Sequence, residues 1–342
     1  MEKMYWVNPL SHYVFEWWLK LFSKYFDLEV YDHNYMDVNI GKKFDLKDFL
    51  VKGTNIFWNF FNFYKNPIKW EKWVKIIWDI FTNSLSYNHF FDKNTIFYTE
   101  YFETLGQRKI KTILGRSILN LFRWKKFIAF TKQTTNFVWK YWKVLYFPQI
   151  YVWKINESPL KSNKNNIKIL FVWNMQDWKK NIEFIFQVFE KLPSNFSLHL
   201  VWAENKDIFK KYKNLFNNWK VKYYWFVEHD KLNEIYSQCD IFFFPSKIDP
   251  IGAVVLEAMA NGLAIITNKN VGASSYIDWN GFVLDWFNKE EYVAKFLEFN
   301  DNLSILDKFK NKSIELVKQN HWFKNQDLME KRHLEFKKFI ND

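Results

Sequence analysis

Glycine is scarce in this chain: 8 residues among 342, where ordinary usage would give about 24. Cysteine is nearly missing. Cys239 is the only one, which excludes an internal disulfide and a cysteine-rich zinc site and fits a reducing compartment. No run of eighteen or more uncharged apolar residues occurs, so no segment reads as a membrane-spanning helix. Met1 to Leu10 lacks the basic, apolar and small-residue order of an export signal, which points to the cytoplasm. The seven histidines (His12, His33, His89, His199, His229, His321 and His333) show no metal-ligand spacing. They read as structural or exposed, and no metal is expected.

Aromatic residues are abundant instead, with 38 Phe, 18 Tyr and 19 Trp. The length exceeds one ordinary core and suits two domains. The apolar share of 49% and the charged share of 25% are those of a globular protein. The net charge of +12 is uneven: residues 1–150 hold 22 Lys+Arg against 13 Asp+Glu, and residues 151–342 hold 27 against 24. The densest stretch, Gln107 to Lys126, carries Arg108, Lys109, Lys111, Arg116, Arg123, Lys125 and Lys126 and no acid. With Ile110, Ile113, Leu114, Ile118, Leu119 and Leu121 interleaved, it predicts a basic amphipathic helix. Such a helix either faces an anionic membrane surface or acidic acceptor, or is a solvated basic face. No nucleic-acid motif accompanies the charge, so no nucleic acid is expected.

Short apolar runs alternate with helical patterns, which predicts an α/β chain with parallel sheets. Strands are expected at Met4–Val7, Leu28–Tyr31, Thr95–Tyr98 and Phe127–Phe130, with a helix over Val14–Tyr25. Residues 40–92 give no clear order. The polar stretch Glu157–Asn166 reads as a linker or the loop just after one. Beyond it the pattern predicts strands at Ile167–Val172, Ser197–Val201, Val221–Tyr224, Ile241–Phe244 and Leu263–Thr267. Helices are expected at Asn181–Lys191, Lys231–Ser237 and Ala253–Ala260, the last closed by Gly262. That is a doubly wound domain.

Chemistry concentrates between Cys239 and Leu284. Strand Ile241–Phe244 runs into Pro245-Ser246, then Lys247-Ile248-Asp249-Pro250-Ile251-Gly252, then the helix bearing Glu257. Ligands of open α/β sheets lie beyond the carboxyl ends of the strands. A helix start there offers N–H groups and positive dipole to a diphosphate, and Gly252 lets the backbone come close. Glu257 suits a pair of ribose hydroxyls, and Asp249 suits a sugar.

The run PSKIDPIGAVVLEAMANGLAIIT resembles the donor-site signature of glycosyltransferase family 4, retaining enzymes with the GT-B fold. Pro245, Ser246, Asp249, Gly252, Glu257, Ala258, Ala260 and Gly262 match that pattern in order. Asp249 replaces the usual Glu, and Ala264 stands where the family often has Pro. The resemblance implies two Rossmann-like doubly wound domains facing a central cleft. The boundaries are drawn as an acceptor-side domain over 1–155, a nucleotide-sugar-binding domain over 156–320, and a C-terminal helix over 321–342 that packs back on the first domain.

The same resemblance supplies the remaining site. Lys168 to Asn181 looks like the first donor-domain strand and its loop. Lys180 is matched to the family's diphosphate-neutralising lysine, with Lys179 second, and Asn174 occupies an Arg position. Ser246 and Ala253 join Gly252 on the donor side, and Phe226 with Val227 packs on the nucleotide base. Trp17, Trp18 and Trp173 stand where the family carries glycine beside the nucleotide sugar. Glu100 lies near a usual acceptor-side His and is not assigned as a base.

The activity implied is hexosyl transfer, with retention, from a nucleotide diphosphate sugar to a glycan or lipid-linked acceptor in cell-envelope polysaccharide or lipopolysaccharide synthesis. No metal or other cofactor is implied, so Lys180, the helix start and backbone amides carry the electrostatics. The enzyme is expected in the cytoplasm, peripheral at the inner membrane face through residues 107–126. The alternatives are a non-catalytic GT-B scaffold and a nucleotide-sugar epimerase.

Trp202, Trp225 and Trp142 also occupy positions where the family has glycine. Glycine there permits positive φ and leaves room for phosphate; tryptophan does neither. Two explanations stand: codons that encode glycine in the source and are read here as tryptophan, or true tryptophan in an aromatic-rich chain.

Overall fold

The computed structural model describes residues 3–8, 24–25, 27–32, 50–53, 74–78, 95–98, 124–140, 142–172, 178–201, 206–217, 220–225 and 227–342. Trp17, Trp18, Trp173, Asn174, Trp202, Phe226, Glu100, most of the helix expected over Val14–Tyr25 and residues 107–123 of the basic stretch lie outside them. The chain divides into two compact units, Met1–Val152 with Phe323–Asp342, and Trp153–Trp322.

In the first unit β1 (Lys3–Asn8), β2 (Asp27–Asp32), β3 (Leu50–Gly53), β4 (Val74–Trp78), β5 (Thr95–Tyr98), β6 (Lys126–Ala129) and β7 (Lys143–Tyr146) form one parallel sheet, ordered β3-β2-β1-β4-β5-β6-β7. Strands β3 and β4 come from the region that sequence left unordered. Helix α1 (Lys132–Val138) follows β6, its start capped by the Thr131 side chain accepting from the Thr134 N–H, the usual way to satisfy a first-turn donor. Trp142 is 2% exposed and packs against Phe97 and Phe127 at ring distances of 6.2 Å. A buried ring of that size serves as core.

The second unit holds β8 (Ile167–Val172), α2 (Ile182–Phe189), β9 (Phe196–Val201), α3 (Lys206–Lys211), α4 (Lys213–Asn217), β10 (Val221–Tyr224), α5 (His229–Ser237), β11 (Ile241–Phe244), α6 (Ala253–Ala260), β12 (Ala264–Asn268), β13 (Gly281–Leu284), α7 (Lys289–Asp301) and α8 (Leu303–Asn320). Its strands run parallel in the order β10-β9-β8-β11-β12-β13. That is the doubly wound arrangement, whose order reverses between β8 and β11. Strands β11 and β12 are buried along their whole length, as expected of central parallel strands covered on both faces. Gly262, at φ +77, ends α6.

The polar stretch 157–166 lies inside this second unit and is tied to the sheet by one buried carboxylate. Asp240, immediately before β11, accepts from the Lys168 N–H at 2.9 Å, the Ser162 hydroxyl at 3.2 Å and the Lys310 ammonium at 2.6 Å. Lys310, 1% exposed, also donates to the Leu160 carbonyl at 2.6 Å. A buried pair with its remaining hydrogen bonds made is the form in which such charges persist. It fixes α8 and the 160–162 segment onto the strand that leads into the site. The last helix, α9 (Gln326–Asn341), belongs to the first unit, where Phe336 meets Phe147 at 6.3 Å and Lys126 donates to the Ile340 carbonyl at 2.8 Å.

His199 on β9 is 7% exposed, with Nδ1 3.0 Å from the Tyr224 hydroxyl. Burial first, then the charges of Lys168 and Lys222, lower its pKa from 6.5 to about 4. The folded state thus keeps the ring neutral while the unfolded chain binds a proton below pH 6.5. Its contribution is complete above that pH and disappears as pH falls toward 4. Urea unfolding at pH 7 and pH 4 should therefore show a loss that His199→Gln lacks, on the order of 3 kcal/mol.

Candidate functional site: the loop between β11 and α6

Two central strands end side by side, and the segments leaving them lock onto one another. After β8 a short 3-10 turn covers Trp178–Lys180, and Asn181 takes a left-handed conformation at φ 58 before α2. Asparagine is among the few non-glycine residues that adopt it readily. After β11, the Lys247 N–H donates to the Lys179 carbonyl at 2.7 Å, the Ser246 hydroxyl donates to the same carbonyl at 3.0 Å, and Asn181 Nδ2 donates to the Pro245 carbonyl at 3.3 Å. From the end of β12, Asn268 Nδ2 donates to the Ser246 carbonyl at 3.0 Å. Three strand ends therefore hold one loop.

Inside that loop sits a buried ion pair. Lys180 Nζ lies 2.6 Å from Asp249 Oδ2, with the two residues 4% and 7% exposed, and the ammonium lies 5.4 Å from the centre of the Phe244 ring. The other carboxylate oxygen, Oδ1, accepts from the Gly252 N–H at 2.7 Å and the Ile251 N–H at 3.3 Å. Backbone bonds from the Gly272 N–H to the Asp249 carbonyl, 2.8 Å, and from the Asp249 N–H to the Asn270 carbonyl, 3.2 Å, complete the frame. Lys180 is thus no solvated lysine at a helix start. Spacing and resemblance assign Lys180 and Asp249 separate roles; the structure brings them together, each facing the other.

Gly252 stands at φ +71 as the residue before α6. A Cβ there would come within 2.6 Å of Val271 Cγ1 and 3.2 Å of Ala273 Cβ. The need for glycine therefore comes from the chain's own 271–273 loop together with the left-handed backbone. In the first turn of α6 the Val255 N–H bonds the Gly252 carbonyl at 2.9 Å, and helix polarity places partial positive charge at this end, beside Ala253.

Glu257, one turn further on, is 3% exposed, and its Oε2 accepts from the Tyr236 hydroxyl of α5 at 3.1 Å. Tyr236 is a partner that sequence spacing could not supply, since it lies 21 residues away on another helix. Val227 is half-buried after β10, Trp225 beside it is 64% exposed, and Lys179 is half-buried. Ser246 is fully buried and acts on the backbone, donating to the Lys179 and Ile248 carbonyls. Among the described residues no group of three or more His, Cys, Asp or Glu gathers as for a metal ion, and no helix is long and apolar enough to cross a membrane.

Removing one member of the pair takes a countercharge from the other in a dry setting. Asp249→Ala takes the carboxylate from the Lys180 ammonium and the Gly252 N–H, and should cost about 3 kcal/mol. Lys180→Met with Asp249→Asn, which removes both charges, should cost clearly less. Urea denaturation measures both, and equal losses would contradict the pairing.

Residues 154–315, most of the second unit, match the family model described as Glycosyl transferases group 1. Over 113 residues the chain is 30% identical to an uncharacterized glycosyltransferase of Methanocaldococcus jannaschii, covering 32% of this chain and 29% of that protein. Over 122 residues it is 27% identical to the sulfoquinovosyl transferase of Arabidopsis thaliana, covering 34% of this chain and 23% of that protein. The chain thus spans less than a third of the length of either relative. Among solved structures, Anabaena HepE in complex with UDP superposes with a TM-score of 0.71 at 14% identity, covering 98% of this chain and 100% of that one. The chain has the GT-B class of fold, with two Rossmann-like units, and these matches group its second unit with the glycosyltransferases.

Proposed function

We propose that the protein is a retaining glycosyltransferase that moves a hexose from a nucleotide diphosphate sugar to a glycan or lipid-linked acceptor. The observation that carries this reading is the buried Lys180–Asp249 pair set against Gly252 and the start of α6, at the carboxyl ends of β8 and β11. It lies at the reversal of strand order, where doubly wound sheets bind ligands, and within the matched segment. HepE, of the same fold, is solved with UDP bound.

In this reading the diphosphate lies over the start of α6, held by the Ala253 N–H and the helix dipole, with Lys180 and Lys179 opposing its charge. Glu257 accepts from the ribose hydroxyls, with Tyr236 orienting it, and Asp249 accepts from the hexose. Ser246 and Gly252 hold the loop in shape, and Val227 packs against the base. The bond between the anomeric carbon and the diphosphate oxygen breaks with its electron pair leaving on phosphate. The acceptor oxygen bonds to the same face of that carbon, and its proton passes to the departing phosphate oxygen. Charge growing on that phosphate is what fixed dipoles and Lys180 stabilise. No metal is required in this scheme. The basic residues of 107–123 suit an anionic, membrane-held acceptor on the cytoplasmic side; the expected basic helix does not extend to its last two lysines, since Lys125 is buried and Lys126 opens β6.

One observation favours a second reading, a GT-B binding protein without turnover: Lys180 is already matched by Asp249 and Glu257 by Tyr236. Thermal shift with UDP-, GDP- and ADP-hexoses on wild type and Glu257→Gln separates the two. For the enzyme, one donor stabilises the wild type, its affinity falls about tenfold in Glu257→Gln, a loss of about 1.4 kcal/mol, and the product keeps the donor's anomeric configuration by NMR. Binding without transfer to any acceptor supports the second reading. No shift with any donor overturns both, and an inverted product overturns retention.

A further inference from the structure

Tryptophan is usually among the most buried side chains on average. Here nine of the 19 have described side chains, and six of those are exposed: Trp124, Trp139, Trp178, Trp225, Trp279 and Trp286, at 45–77%. Glycine is depleted, at 8 residues where about 24 would be ordinary. Trp279 adds backbone evidence that composition alone lacks. It and Asn181 are the two non-glycine residues with positive φ among those described, and Trp279 sits at φ 56 with 77% of its surface in water.

The conformation at 279 is imposed from both sides. Asn280, fully buried, accepts from the Asp278 N–H at 2.8 Å, donates to the Ser313 hydroxyl at 3.0 Å and, through its carbonyl, accepts from the Ile265 N–H at 3.1 Å. At Gly281 a Cβ would fall 2.1 Å from the Ile265 carbonyl oxygen, so the chain enters β13 pressed against β12. Position 279 closes the turn left-handed. There a bulky side chain is a conformational outlier, its ring gains no burial in return, and glycine carries no penalty.

We infer that the native protein carries glycine at position 279, because a codon translated as tryptophan in this sequence is read as glycine in the source cell. The buried Trp142 shows what a retained tryptophan looks like in the same chain. The inference stands on backbone geometry, exposure and composition, and does not depend on the sugar-transfer reading.

Tandem mass spectrometry of the protein isolated from its source cells decides it. Tryptic cleavage yields the peptide Asn270–Lys289. Glycine is expected at 279, encoded by UGA; tryptophan at 279, or a UGG codon there, overturns the inference. A recombinant measurement is independent of the source. Trp279→Gly in the chain as written should raise Tm by about 2 °C, whereas Trp142→Gly should lower it steeply. A drop in Tm for Trp279→Gly would show the ring fitting its place and count against the inference.

Discussion

A carboxylate buried beside a central strand can stay charged only if its surroundings replace water, and Asp249 meets that demand with three donors. Lys180 supplies the countercharge to one oxygen, and the Ile251 and Gly252 N–H groups bond the other. The geometry of the site follows from this. Asp249 can reach Lys180 only because the 178–181 and 245–249 segments are bonded together, and it can reach Gly252 only because that residue turns left-handed. The pair thus sets where α6 begins and where its N-terminal dipole points.

The same economy appears at the other end of β11. Asp240 and Lys310 form a second buried pair at the amino end of the strand where the first stands beyond its carboxyl end. Between them runs a strand of Ile and Phe with no polar side chain. Each pair ties a loop and a neighbouring element to the strand, so β11 is pinned at both ends by charge and along its length by apolar packing. The exposed ion pairs, such as Lys191–Glu290, lie in water and contribute little by comparison.

Much of the second unit was legible in the sequence, since its strands are short runs bounded by turns and the central two, β11 and β12, are wholly buried. Ile167–Val172, Val221–Tyr224, Ile241–Phe244 and the Ala253–Ala260 helix have the limits their patterns imply. Leu263–Thr267 slips by one residue, because Leu263 bonds back to α6 before pairing starts. The residues of the candidate site were legible from spacing, but their partners were not. Spacing places Asp249 and Lys180 near strand ends; it does not say that the two face each other across 69 residues, or that Tyr236 reaches Glu257. In the first unit, β3 and β4 were hidden because Phe, Trp and Asn surround them without a clear period. The burial of Trp142 was not legible either, since it is set by Phe97 and Phe127, distant in sequence.

The first unit is assembled from two stretches of chain separated by the whole of the second. A ribosome finishes Trp153–Trp322 before it makes the α9 that Phe147 and Lys126 hold. The later-made unit therefore has all its residues first, and the one begun first waits for the final helix. Order of synthesis and order of completion run in opposite directions, so a chain cut short near residue 322 would leave an intact sequence for the second unit beside an unfinished partner.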